Sequence, residues 1–255
     1  MNTKFCRAYL SLMYAFLYIP ILVIIAFSFN DASRSLIWHG LTTHWYHVLI
    51  QDQDLIHIAG NSLTVAILSS TCATLLGALA SVTLYRYRFF GKTALHSLLF
   101  VLVIVPDIVV GIALLLLYHA LHIPLGFWSL LIAHITFSLP FVFLTAFARL
   151  NGLNRHLIEA ARDLGAKEHT IFFRIFMPLL KPALIAGWLL CFTLSLDDVI
   201  ISYFVTGPTF EILPLRIYAM VHLGVSPEIN ALCTLLFGLT LILVLLSHFF
   251  LRKKA

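Results

Sequence analysis

The chain has 255 residues, of which 61% are hydrophobic and only 11% charged, whereas a water-soluble domain is about 45–50% apolar and about 25% charged. So large an apolar excess excludes an ordinary soluble enzyme or binding module. The net charge of +5 lies mostly in the links between apolar stretches, so it reads as a topology signal and not as a nucleic-acid footprint.

About 20 apolar residues in helix cross roughly 30 Å of hydrocarbon, and such stretches recur at 8–29, 62–84, 94–119, 126–147, 183–205 and 230–251. The expected fold is all-α: a six-span transmembrane helical bundle in a single domain over 1–255, with its core at about 56–250. The first stretch follows Lys4 and Arg7 in the manner of a signal peptide. Its apolar run is too long, however, and ends in Phe27-Ser28-Phe29-Asn30 without a small-x-small cleavage site, so a retained span is expected. In the following loop, Trp45, Tyr46, Leu49 and Ile50 predict a short interfacial helix, since aromatic rings favour the headgroup layer. His39, His44, His47 and His57 share that loop without an acid at a zinc-protease position, and read as solvated histidines rather than ligands.

On the second span, Ser69, Ala73, Gly77 and Ser81 repeat every four residues, a small-residue stripe that allows close helix contact within the bundle or against a second subunit. Gly91-Lys92-Thr93 is not a phosphate loop, because Arg86 stands where its first glycine belongs and no apolar strand precedes it. Pro20, Pro106 and Pro140 fall inside spans, where they mark kinks or breaks more than loops. Pro106-Asp107 is the place where the third span would split. Cys6, Cys72, Cys191 and Cys233 are scattered in or beside spans, without paired metal-ligand spacing, and read as small apolar residues.

The loop between the fourth and fifth spans is the informative one. Residues 154–178 predict a short helix through Leu164, a glycine suited to the left-handed position at Gly165, and a second helix ended by Pro178. Leu157, Ala160, Ala161 and Leu164 make an apolar face on the first helix, with Arg155, Arg162 and Asp163 on the wetter side. Such a face needs a cytoplasmic partner or the membrane surface to cover it.

Asp107 lies 13 residues into the third span (94 to 107) and Asp197 lies 14 into the fifth (183 to 197). At about 1.5 Å per residue both sit roughly 20 Å from the same end, with Asp198 beside them. An aspartate facing lipid near mid-bilayer costs roughly 3 kcal/mol on insertion scales, so these three belong in the bundle interior or a wet cavity. Three acids at one level suit the path of a polycation; capping a helix at a broken span and relaying protons are the competing readings.

Orientation follows from the basic residues. With six spans, one side receives both termini and the loops 85–93 and 148–182, which together hold fourteen of the sixteen Lys and Arg. Arg34 and Arg216 are on the other side. The positive-inside rule then puts both termini in the cytoplasm.

Glu159-Ala160-Ala161, Gly165, Ile175 and Pro178 resemble the EAA loop of permease subunits in bacterial binding-protein-dependent ABC importers, whose pattern is EAA-x3-G-x9-I-x-L-P; Met177 stands where the pattern has leucine. Resemblance to that family implies that the loop docks in a groove of a separate ATP-hydrolysing subunit. Ser195-Leu196-Asp197-Asp198-Val199-Ile200, Thr206-Gly207-Pro208, Leu213-Pro214 and the run 224–231, with Trp45-Tyr46 and Asn61-Ser62-Leu63, are further similar to the permeases of spermidine/putrescine importers. The resemblance implies an inner-membrane, non-catalytic chain that works with a homologous second permease, a pair of ATPase subunits and an extracytoplasmic polyamine-binding protein. It implies no cofactor in this chain, ATP and magnesium belonging to the ATPase. The alternatives are a permease of the same class for another cation or small solute, and an ion-driven carrier, which would need no ATPase dock. Neither a His-Glu-x-x-His nor a Gly-x-Ser-x-Gly motif is present to support hydrolysis within the membrane.

Overall fold

The computed structural model describes residues 3–32, 37–153, 156–223 and 227–252. Arg34, Asn154, Arg155, the run 224–226, Lys253 and Lys254, which enter the sequence reading, lie outside the described residues. In chain order the helices are α1 (Thr3–Phe27), α2 (His44–Gln51), α3 (Gln53–Arg86), α4 (Lys92–Ile104), α5 (Asp107–Ala120) and α6 (Phe127–Asn151). There follow α7 (His156–Asp163), α8 (Glu168–Ile171), a π-helical turn (Phe172–Phe176), α9 (Met177–Asp197), α10 (Ile200–Val205), α11 (Leu213–Leu223) and α12 (Pro227–Arg252). Among the described residues the architecture is all-α, with one isolated bridge between Asn30 and Leu41.

Four of these helical stretches are long and apolar enough to cross a membrane, and the bent pair α4–α5 makes a fifth candidate. A shorter apolar stretch, Pro227–Ile242, lies where the sixth span is expected. α1 and α6 continue through Pro20 and Pro140, so of the three prolines noted in the sequence, Pro106 alone stops a helix. There Val105 is extended, with φ −66° and ψ 131°, the conformation a following proline favours. Pro106, which has no N–H to lose, begins the next helix by accepting hydrogen bonds from Val109 and Val110.

The third span breaks at Pro106-Asp107, where a split was expected, and α4 and α5 are bent by 116° across it. One expectation needs correction. The fifth span does not run over 183–205 but begins earlier and stops at Asp197, where Asp198 becomes extended at ψ 118° and a separate short helix follows. The reason is local: the Asp198 carboxylate accepts hydrogen bonds from the backbone N–H of Ile201 and Ser202, which starts α10 anew.

The chain divides into two compact units, one of Met1–His57 with Arg216–Leu246 and the other of Ile58–Leu215 with Ser247–Ala255. In the first, α2 forms as expected over Trp45–Ile50 and is tied to the end of α1. Tyr46 and Ser28 share a hydroxyl hydrogen bond of 2.6 Å, and Trp45 Nε1 donates to the Asn30 carbonyl at 2.9 Å.

In the second unit α6 is the central helix, packed most extensively against α9 and also against α4, α5 and α10. The small-residue stripe is buried: Ser69, Ala73 and Ser81 have no exposed surface. A Cβ added at Gly77 would lie 2.8 Å from Val142 Cβ, and one added at Gly187 only 2.9 Å from Thr145 Oγ1. The stripe therefore serves contact inside this bundle, with α3 and α9 both brought against one turn of α6. Two apolar clusters lie toward opposite ends of α6. One gathers Leu130 and Ala133 with Val65, Val110, Leu114, Ile201 and Val205; the other gathers Ala146 and Leu150 with Val82, Ile171, Phe176 and Leu180.

Candidate functional site

The EAA-like segment folds as a short helix, a left-handed glycine and a helix that continues into a span. Gly165 has φ +77°. Its N–H donates to Arg162 O at 2.8 Å, and that of Ala166 to Ala161 O at 3.0 Å, the paired bonds of a Schellman C-terminus. The expected apolar face of α7 is divided. Ile158 and Ala161 turn inward onto the Ile171–Phe176–Leu180 cluster, while Leu157, Ala160 and Leu164 stay exposed, Leu164 at 88%. Glu159 is also exposed and lies 3.1 Å from His156 Nδ1.

The helix after Gly165 does not end at Pro178. Ile175 packs against the same cluster, and the chain passes through the π-helical turn into α9 with Pro178 in its first turn. A π turn shifts the hydrogen-bond register just before α9 restarts, and a proline is tolerated in a first turn because its missing N–H has no partner to lose. Glu168 anchors this segment: it pairs with Arg86 at the end of α3 and lies 3.4 Å from Arg162. Arg86 and Glu168 line a cavity of about 370 Å³ with Leu79, Val82, Phe172 and Phe173. The loop is thus braced on its inner side by α3 and α9, and presents an uncovered apolar strip with an acid beside it on the outer side.

The three aspartates stand at the two helix breaks. Asp107 opens α5 and Asp197 closes α9; both are exposed. Asp197 precedes Asp198 in the chain, and α5, which Asp107 opens, packs against α10. Asp198 differs, since its side chain is only 7% exposed. Its Oδ1 accepts from Ile201 N at 3.2 Å, and its Oδ2 from Ser202 N at 2.8 Å and Ser202 Oγ at 2.7 Å.

Behind Asp198 stands His134 of α6, with no exposed surface. Its Nε2 is 2.9 Å from Ser202 Oγ and 3.5 Å from Asp198 Oδ2. Its Nδ1 is 2.7 Å from Ser195 Oγ, which also receives a 3.3 Å hydrogen bond from Ser69 of α3. Sequence reasoning missed His134. The signal was available, because an ionisable residue inside the apolar run 130–137 demands a buried partner. Two acids that are free to meet a cation, next to a third held rigidly by the protein, make a site suited to weak, transient attraction of positive charge.

A family described as binding-protein-dependent transport system inner membrane component matches residues 73–253. The chain is similar to the spermidine/putrescine transport system permease protein PotC of Escherichia coli K12, being 52% identical over 246 residues that cover 96% of this chain and 93% of that protein. It is 49% identical to the PotC of Haemophilus influenzae, over 100% of this chain and 99% of that one. With the putrescine transport system permease protein PotI of Escherichia coli K12 it shares 41% identity, over 90% and 84%. A solved bacterial ABC transporter involved in the import of the acidic polysaccharide alginate superposes with a TM-score of 0.75 at 16% identity, covering 98% of this chain and 95% of that chain. An inward-facing MetNI methionine ABC transporter gives 0.62 at 18%, covering 78% and 94%. At such identities the structural likeness is one of fold.

Proposed function

The chain belongs to the family of inner membrane components of binding-protein-dependent transport systems, the permeases of ATP-driven importers, and we propose that its cargo is spermidine and putrescine. The observation that carries this reading is the identity with spermidine/putrescine permeases from two organisms along nearly the whole chain. Exposed acids at Asp107 and Asp197 fit it chemically, because both cargoes carry only positive charge.

The working unit pairs this chain with a homologous second permease, two ATPase subunits and an extracytoplasmic binding protein. ATP and magnesium reside in the ATPase, which docks on the exposed strip Leu157–Ala160–Leu164 and on Glu159. Ala161 and Gly165 shape the helix and its turn, and Ile175 and Pro178 lead the chain into α9. This helix of 21 residues runs directly from the docking segment to Asp197, about 30 Å at 1.5 Å per residue. Closure of the ATPase pair therefore has a stiff element through which to move the acid-bearing break, while the Arg86–Glu168 pair carries the same motion to α3. The fourteen-to-two division of basic residues supports both termini lying in the cytoplasm.

Uptake of labelled polyamine tests the cargo. A strain lacking its own polyamine importers should regain ATP-dependent uptake of spermidine or putrescine when supplied with this chain and the products of its neighbouring transport genes. Restored uptake of an unrelated solute, with none of either polyamine, would overturn the assignment.

A further inference from the structure

Donor counting orients the hydrogen bonds around His134. An ionised carboxylate only accepts, so the Ser202 hydroxyl, 2.7 Å from Asp198 Oδ2, donates to it. The Ser202 oxygen then accepts from the imidazole Nε2–H at 2.9 Å. With its proton on Nε2, the ring accepts at Nδ1 from the Ser195 hydroxyl at 2.7 Å, and the Ser195 oxygen accepts from Ser69 at 3.3 Å. Each link from Asp198 to Ser195 has one donor and one acceptor, and the Ser69 hydroxyl is shared between Ser195 Oγ and Ala66 O, both at 3.3 Å. The ring is fully buried, in surroundings where a complete polar chain rigidifies and an incomplete one is costly.

The chain of bonds also spans the helix break. Ser195 belongs to the last turn of α9, Asp198 lies in the break and Ser202 belongs to α10, so one imidazole holds both sides. The far end of α10 is fastened to the same helix, because Ser129 Oγ of α6 donates to Val205 O at 2.7 Å. Asp197, exposed and next to Asp198, is the residue whose direction this arrangement sets. We infer that His134 is a positioning residue for cation passage: its ring clasps the two sides of the α9–α10 break and thereby keeps Asp197 within reach of Asp107. This rests on the reading of Asp107 and Asp197 as contacts for the cargo.

A double-mutant cycle on the assembled transporter tests it, with initial spermidine uptake normalised to the amount of complex containing the ATPase. His134→Ala and Asp197→Asn should each slow uptake by about tenfold, and the double variant should fall within about twofold of Asp197→Asn alone, because the two act through one geometry. A glutamine amide reaches the Nε2 position and an asparagine amide only the Nδ1 position. Each amide keeps one side of the clasp and loses the other, so both His134→Gln and His134→Asn should slow uptake by more than about threefold. Where His134→Ala yields too little complex, His134→Asn takes its place in the cycle. Multiplying losses in the double variant would overturn the clasp and leave the acid path standing. Parental uptake by Asp197→Asn would overturn the acid path, and the clasp with it.

Discussion

Asp107 and Asp197 share a residue type with Asp198 but not a situation. The first two are exposed at helix ends, while Asp198 is held by two backbone amides and a hydroxyl. A hydrogen bond to a charged group contributes about 1.5–3 kcal/mol, so removing the Asp198 charge should be felt first in folding. Asp198→Asn is expected to lower the unfolding temperature of the detergent-solubilised permease. Asp107→Asn and Asp197→Asn should leave it unchanged yet slow polyamine uptake at equal protein levels, by roughly the tenfold that about 1.4 kcal/mol of lost attraction implies. The attraction has to be modest, because a path that held a trivalent cation tightly would trap it. Equal uptake by the parent and both of these variants would show that the exposed acids take no part in passage.

Among the elements, α7 and its glycine turn make the sharpest claims. Gly165 sits at φ +77° with open space around it, so a β-branched residue there meets no neighbour but incurs about 1–2 kcal/mol of backbone strain. Gly165→Val and a charge reversal at Glu159 should weaken co-purification of the ATPase while the chain still inserts in the membrane. Normal ATPase capture and uptake by both variants would remove α7 from the coupling mechanism. Where helices touch, the consequence is the opposite. A side chain at Gly187 has no room against Thr145 and Val142, and overpacking of this kind costs typically about 1–3 kcal/mol. Gly187→Leu should therefore reduce the amount of folded permease, measured by fluorescence-detected size exclusion, before any effect on coupling is seen.

For the whole molecule, the testable property is topology. Single cysteines introduced over 37–52 and 208–212 should react with an impermeant maleimide in intact cells, and those over 156–169 only after the membrane is opened. Labelling of the α7 segment from outside would invert the assignment and move the docking strip away from any cytoplasmic ATPase. The exposed apolar surface of α1, with Leu12 at 70% and Phe16 at 76%, suits lipid or a second permease. Either neighbour spares those side chains contact with water.

The sequence by itself determined the all-α membrane class, because apolar length and charge content are sums along the chain that no tertiary arrangement alters. It also located the helix and glycine turn at Gly165, since that turn depends on residues within a few positions of one another. The acid cluster was legible in part. Spacing brought Asp107, Asp197 and Asp198 together, but by counting along straight spans, whereas the structure places them at two breaks, with α4 and α5 bent by 116°. Only the tertiary structure separated the engaged Asp198 from its exposed neighbour, divided the α7 face into covered and uncovered halves, and set His134 across the α9–α10 break. Those distinctions depend on partners such as Ser202, Ser195 and the Ile171–Phe176 cluster. Packing of α3, α6, α9 and α10, and not proximity along the chain, decides which of them a buried group meets.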